Sequence, residues 1–293
     1  MRRAISTIPA AQPLHAAPAR NPAAEQNGPR AAWSGLHLAL RAEWAKLRTL
    51  PGTFWLLAAI AGTTAAVSTA ATAAVSCPHG GCSVDPAKLS LTGIYLGQAI
   101  AAILAVLVVG SEYSTGMIRT TLAAMPRRAT VLAAKSAIVA ALVLAAAAIA
   151  VSGSLLAGRL LLTAHGFTPA HGYPPLTLGD GAVLRAAAGS VLYLALIALL
   201  SLGIATIIRD PGPAIGVVLG LLYLDPIIAA VLPSAHWHDV IERYGPMTAG
   251  LTIQATTGLR SLPISPWAGL GVLAGWAAAV LIAGGLLLRQ RDA

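Results

Sequence analysis

Six stretches of this chain are long enough to cross a bilayer as helices, and between them they hold one lysine and one aspartate, Lys135 and Asp225. They run over 54–75, 89–109, 131–156, 186–208, 213–232 and 267–288. An α-helix rises about 1.5 Å per residue, so about 20 apolar residues cross a hydrocarbon layer of ~30 Å. In hydrocarbon each backbone N–H and C=O must find its partner inside the protein, which a helix provides from its own segment. The pattern therefore predicts an all-α integral membrane protein with six transmembrane helices. The fifth stretch is the weakest, because Pro213, Gly216 and Gly220 dilute it and Asp225-Pro226 interrupts it.

Composition agrees with that reading. Charged residues make up 10% of the 293, against roughly 25% in soluble domains, too few to cover a water-facing surface. The net charge of +9 raises the question of nucleic acid. No basic stripe interleaved with aromatics is present, however, and 5% aromatic content is poor for base stacking. The positive charge reads instead as topogenic, and no nucleic-acid partner is expected.

Residues 1–32 are rich in Ala and Pro and predict a disordered cytoplasmic tail, with 33–293 forming the membrane domain. No apolar core of about 7–15 residues follows Arg2 and Arg3, so a cleaved signal peptide is not expected. The segment 33–50 predicts an amphipathic interfacial helix. Leu36, Leu40, Trp44 and Leu47 recur at helical spacing, and Arg41, Lys46 and Arg48 are candidates for its polar face. Ser34 is the expected N-cap, with Trp33 and Leu38 as its hydrophobic staple, and Pro51-Gly52 ends the helix.

Orientation follows from basic residues beside the span ends. With both termini cytoplasmic, the inner side takes Arg2, Arg3, Arg20, Arg30, Arg41, Lys46, Arg48, Arg119, Arg127, Arg128, Lys135, Arg209, Arg289 and Arg291. Of the 19 Lys and Arg, the outer side keeps Lys88, Arg159, Arg185, Arg243 and Arg260.

Cys77 and Cys82 fall in the first outer loop. On an oxidising face a local disulfide is the preferred reading, with a metal site using His79 as the weaker one. His165, His171, His236 and His238 read as solvated. The outer segment 233–266 is long for a structureless connection, so short interfacial or re-entrant helices are expected there. Asp225 has two readings, a residue lining a substrate route and an interface aspartate beside the Pro226 bend. Thr63, Thr64, Ser68, Thr69 and Thr72 point to close packing of the first span. Gly153 and Gly158, or Gly216 and Gly220, suggest small-residue contacts.

Several chemistries are missing. The chain has no G-x-x-x-x-G-K-[ST], no G-x-S-x-G and no H-E-x-x-H, so no P-loop, nucleophile elbow or zinc-protease site is expected. No cofactor, metal or catalytic residue is assigned.

The polar segment from Glu112 to Lys135 carries the strongest functional signal. It reads Glu112, three residues, Gly116, then Arg119, Thr120, Pro126, Arg127, Arg128 and Lys135. A helix starting near Ser114 would favour the Glu112 charge by its N-terminus, and Gly116 would permit close approach of another backbone. These residues resemble the loop after the second span in membrane permeases of type-2 ATP-binding-cassette exporters, especially the two-component actinobacterial kind. Met117 departs from the pattern by replacing the usual Thr after the glycine. Upstream, Arg41, Glu43, Trp44, Lys46 and Arg48 lie in a stretch similar to the amphipathic entry helix of that family.

The resemblance implies a translocation pathway driven by a separate P-loop ATPase chain that docks on this loop and entry helix. It also implies pairing with a second permease, identical or related, and export of a small or amphipathic molecule across a bacterial plasma membrane. A membrane enzyme acting on lipid, a secondary transporter and a non-transporting scaffold are the alternatives. Clusters of intramembrane His or Asp would favour the enzyme. More spans and paired broken helices would favour the secondary transporter.

Overall fold

A computed structural model describes residues 29–49, 51–77, 82, 84–117, 128–171, 173, 176–231 and 234–290. The chain is all-α, with no strand among the described residues. Helix α1 (Pro29–Thr49) precedes the first span, α2 (Pro51–Ala74). A short helix α3 (Pro86–Ser90) leads into α4 (Ile94–Ser114), followed by α5 (Arg128–Ala164) and α6 (Gly181–Ile208). Next come α7 (Pro211–Val231), α8 (Ala235–Tyr244), α9 (Pro246–Leu251) and α10 (Pro266–Gln290). Six of these, α2, α4, α5, α6, α7 and α10, are long and apolar enough to cross a membrane.

The expected spans are all present, with shifted ends. The second starts at Ile94 instead of 89, because Asp85 caps a separate turn of helix at Pro86–Ser90. It then runs to Ser114, which puts Glu112 inside its last turn. The third is 37 residues long and extends beyond the apolar run at both ends. The fifth continues straight through Pro226, so Asp225-Pro226 does not end it. Its proline lacks the N–H that would bond four residues back, a loss that one helix position tolerates at a cost. Helix α1 begins at Pro29, so Ser34 lies within it and is not its cap. Of the expected tail, residues 1–28 lie outside the described residues.

Helices α4 and α6 bury most of their length and form the centre, while α2, α7 and α10 bury little and leave apolar faces outward. Such faces suit a lipid solvent, whose chains are as apolar as the side chains they meet. Trp44, Phe54 and Trp55 are exposed near one end of the bundle, and Trp237, Tyr244 and Trp267 near the other. Aromatic girdles of this kind mark the two membrane–water interfaces.

Small residues set the closest contacts. Thr64, Ser68 and Thr72 form a fully buried stripe on α2 at a spacing of one turn. The Gly93 N–H donates to Ser68 Oγ at 3.0 Å, and a Cβ on Gly97 would collide with Thr64 Oγ1. On α5, a Cβ on Gly158 would meet Ser90 Cβ at 2.7 Å, whereas Gly153 has ordinary room. Gly216 and Gly220 face open space, so the expected close packing through that pair does not occur among the described residues.

The long connection after α7 is folded inward. Pro246, Met247, Ala249, Gly250 and Leu251 of α9 are buried, as are Ile253 and Gln254. A Cβ on Gly250 would meet Tyr193 Cε2 on α6 at 2.7 Å and Leu273 Cδ2 on α10 at 3.1 Å. Helix α8, by contrast, keeps Trp237 and Tyr244 exposed.

Candidate functional site: a buried ring of four charges

Four charged side chains from three helices meet at one end of the bundle. Lys135 Nζ on α5 donates to Glu43 Oε2 on α1 at 2.7 Å and to Glu112 Oε1 on α4 at 3.0 Å. Lys46 Nζ on α1 donates to Glu112 Oε1 at 2.9 Å and to Glu43 Oε1 at 3.1 Å. The signs alternate around the ring, so two carboxylates face two ammoniums. Glu43 is 1% exposed, Lys135 4% and Glu112 6%. Lys46 is the most open member, with 28% of its side chain accessible.

The fold explains why each residue is where it is. Glu43 falls in the buried stripe of α1 with Ala39 and Leu47, at intervals of one turn. Trp44, expected on the apolar face, is instead half-exposed, and Arg41 and Arg48 are exposed. The buried face of α1 is thus centred on a carboxylate. Glu112 occupies the C-terminal turn of α4, where the helix dipole disfavours a negative charge by about 0.3–1 kcal/mol. Ser114 closes α4, Met117 is helical again and 118–127 lie outside the described residues; at the end of α4 the two ammoniums offset the penalty.

Burial alone would lower the pKa of Lys46. The hydrogen bond from Lys46 to Glu112 and the negative charge of Glu43 outweigh that, and the group is raised above an ordinary lysine.

Gly116 ends α4 with φ +70°, its N–H bonded to the Tyr113 carbonyl at 3.2 Å. A Cβ there would meet nothing within 4 Å among the described residues. The glycine serves the left-handed turn that closes the helix. Arg128 Nη1 donates to the Leu288 carbonyl at 2.7 Å, tying the start of α5 to the end of α10. Arg209, itself left-handed at φ 66°, lies over the Tyr113 ring at 5.5 Å. Arg119, Thr120, Pro126 and Arg127 lie outside the described residues.

A cleft of about 430 Å³ adjoins the ring. One face of α4 lines it in a graded order: Leu104, then Leu107 and Val108, then Ser111 and Glu112, then Thr115. Thr53 and Leu56 of α2 form part of the opposite wall. Glu112 Oε2, the carboxylate oxygen not used by the ring, is buried and has no hydrogen-bond partner among the described residues.

The opposite end of the bundle is fastened differently. Cys77 and Cys82 are joined by a disulfide, so their sulfurs are not metal ligands; His79 lies outside the described residues. The Cys77 N–H donates to the His165 carbonyl at 2.9 Å, and Tyr173 OH donates to the Cys82 carbonyl at 2.5 Å. Asp85 accepts from Ala87 and Lys88 N–H at the start of α3. It also accepts from Thr256 Oγ1 at 2.7 Å, Thr256 N–H at 2.5 Å and Thr257 N–H at 3.0 Å. Burial raises the Asp85 pKa, but the Thr256 hydroxyl and these backbone donors hold it below that of an ordinary carboxyl.

Asp225 lies towards this second end, its Oδ2 within 3.0 Å of where a Gly245 Cβ would stand, and remote from the charged cleft. Among the described residues, no group of three His, Cys, Asp or Glu could hold a metal ion. One buried polar cluster escaped the sequence reading. Tyr193 OH donates to Gln98 Oε1, and Gln98 Nε2 donates to Met247 Sδ at 3.2 Å. Tyr223 OH donates to the Tyr95 carbonyl. Gln98, within an uncharged apolar run, was its only visible trace.

Set against known protein families and against curated proteins, this sequence has no match. The functional reading therefore rests on the residues and their geometry.

Proposed function

We propose that this protein is the membrane permease subunit of a type-2 ATP-binding-cassette exporter. The observation that carries this reading is the charged ring. It joins the amphipathic entry helix to the residues on both sides of the 113–134 segment, the part of the sequence that resembles the ATPase-coupling loop of such permeases. A push on α1 or on the loop would reach α4 and α5 through ion pairs instead of through mobile side chains.

In this reading a separate P-loop ATPase docks against the loop and α1 from the cytoplasm. Two permeases pair, as identical or related subunits, in a bacterial plasma membrane. ATP binding and hydrolysis on the partner rock the spans between inward- and outward-open states. The chain supplies the pathway for a small or amphipathic molecule and performs no catalysis itself.

The test is co-purification of the tagged full chain from its native membrane in mild detergent. A P-loop ATPase is expected with the parent protein. Recovery should fall with Glu112→Ala, which breaks the ring, and with Gly116→Trp, which leaves the ring intact and alters the loop. Absence of any ATPase from the parent across several detergents would overturn the reading.

A further inference from the structure

We propose that Asp225, together with the bend between α8 and α9, binds the protonated primary amine of an amphiphile that reaches it from the surrounding lipid. Such a site goes beyond transport by an ATPase partner and stands whether or not one docks.

Asp225 lies six residues before α7 ends at Val231, about 9 Å inside that end of the span at the rise of a helix. A carboxylate at such depth is costly unless it is paired, and for that reason intramembrane acids mark ion or substrate sites. Asp225 is only partly buried, and among the described residues it accepts no hydrogen bond and joins no ion pair. His238 of the neighbouring α8 pairs instead with Glu242, at 3.3 Å. The charge of Asp225 is left to a partner from outside the chain.

Acceptors gather around that carboxylate. Gly245, at the bend between α8 and α9, leaves a notch where a Cβ would meet Thr248 Oγ1 at 2.6 Å, the Ile241 carbonyl oxygen at 2.7 Å and Asp225 Oδ2 at 3.0 Å. Oxygens from α7, α8 and α9 therefore converge beside one glycine. Three donors close by are spent on main-chain carbonyls. The Gly245 N–H and the Thr248 hydroxyl each donate to the Ile241 carbonyl at 2.8 Å. The Trp276 indole N–H donates to the Tyr244 carbonyl at 2.9 Å. What suits this place is a cation that carries N–H bonds, and a primary ammonium brings three.

The surroundings supply the rest of the ligand's chemistry. Leu224, Ile227 and Ile228, on either side of Asp225 in α7, are exposed, so the approach to the carboxylate is an apolar surface facing lipid. Tyr244 and Trp276, linked through the Tyr244 carbonyl, are exposed beside the bend. Aromatic faces attract cations, and Tyr and Trp favour the depth at which lipid head groups lie. An apolar chain would lie along α7 with its ammonium at Asp225. A carboxylate or phosphate head would be repelled there. A hydroxyl would leave the charge uncompensated, and a quaternary ammonium would bring charge without a donor.

The test uses the purified full chain in nanodiscs of neutral lipid, with a long-chain primary alkylamine that carries a photoreactive diazirine near its head. Labelled peptides are expected to contain residues 224–228. Unlabelled alkylamine should compete. The alcohol and the trimethylammonium of equal chain length should each require about tenfold more, the loss expected for a hydrogen bond between charged partners. Asp225→Asn removes the charge and keeps the shape. It should cut labelling about tenfold and, without amine, leave the unfolding temperature unchanged, since no partner within the chain loses a charged contact. Equal competition by the alcohol would overturn the cation, and equal competition by the trimethylammonium would overturn the N–H contact. Labelling elsewhere, or labelling at full strength in Asp225→Asn, would overturn the location. A lower unfolding temperature for the amine-free variant would overturn the proposal by giving Asp225 a structural contact.

Discussion

The two ends of this bundle are held by different chemistry. At one end Cys77–Cys82 closes a loop covalently, and Asp85 gathers five hydrogen-bond donations from α3 and from the segment after α9. At the other, four charges on α1, α4 and α5 hold each other through ion pairs. Covalent and backbone-directed links define one geometry. Ion pairs between separate helices can exchange partners without breaking a chain, provided no charge is left alone. In the proposed transporter the covalently tied end is the fixed one and the ion-paired end is the movable joint, driven from one side of the membrane.

The strongest way to break the comparison is to unbalance the ring. Lys135→Met removes an ammonium that contacts both carboxylates and leaves Glu43 and Glu112 to share Lys46. Removing one partner of a buried pair costs about 3–5 kcal/mol, because an uncompensated charge stays behind. Thermal unfolding in detergent should show that loss. The double change Glu43→Leu with Lys135→Met takes out one charge of each sign and should recover most of it. If the single variant were as stable as the parent, the ring would be an incidental surface contact.

How much of this was readable beforehand differs between the two ends. The six spans were legible because the bilayer imposes length and apolarity on every segment that crosses it. All four ring residues were singled out as well, but as two separate groups, Glu43 and Lys46 on the entry helix and Glu112 and Lys135 on the loop. Their pairing was not read, because helical spacing around Trp44 and Leu47 placed the lysine and tryptophan on the wrong faces of α1. A signal existed: two acidic and two basic residues beside apolar runs, equal in number, each needing a counter-charge. Asp85 was missed altogether. Its partners Thr256 and Thr257 are 171 and 172 residues away, and nothing local in the sequence announces such a contact.

Asp85 gives a smaller and pH-dependent prediction for the covalently tied end. Its folded pKa lies below the unfolded value of about 3.9, so the carboxylate stabilises the fold at neutral pH. That stabilisation is present above about pH 4 and is lost as pH falls through the depressed folded value. Asp85→Asn removes the charge at every pH. It should lower stability at pH 7 by about 1 kcal/mol, the scale of a net hydrogen-bond loss at a half-exposed site. Below pH 4 parent and variant should converge, as read by unfolding temperature across a pH series. A constant gap down to pH 2 would show that the side chain's shape matters there and its charge does not.

The smallest expected effect sharpens the contrast at the ion-paired end. Gly116 is left-handed at φ +70° with nothing among the described residues within 4 Å of where a Cβ would be, so a substitution there meets backbone strain first. Gly116→Ala should cost about 1 kcal/mol and Gly116→Asn a few tenths, since asparagine tolerates this conformation better. Both variants leave every ring contact in place. If the turn after α4 only terminates a helix, ATPase recovery in the co-purification should track that small stability loss and be nearly equal for the two. If the turn sets the angle at which the loop leaves the membrane, Gly116→Ala should reduce recovery severalfold while Gly116→Asn keeps it. The second pattern would place the movable joint at the glycine as much as at the ring.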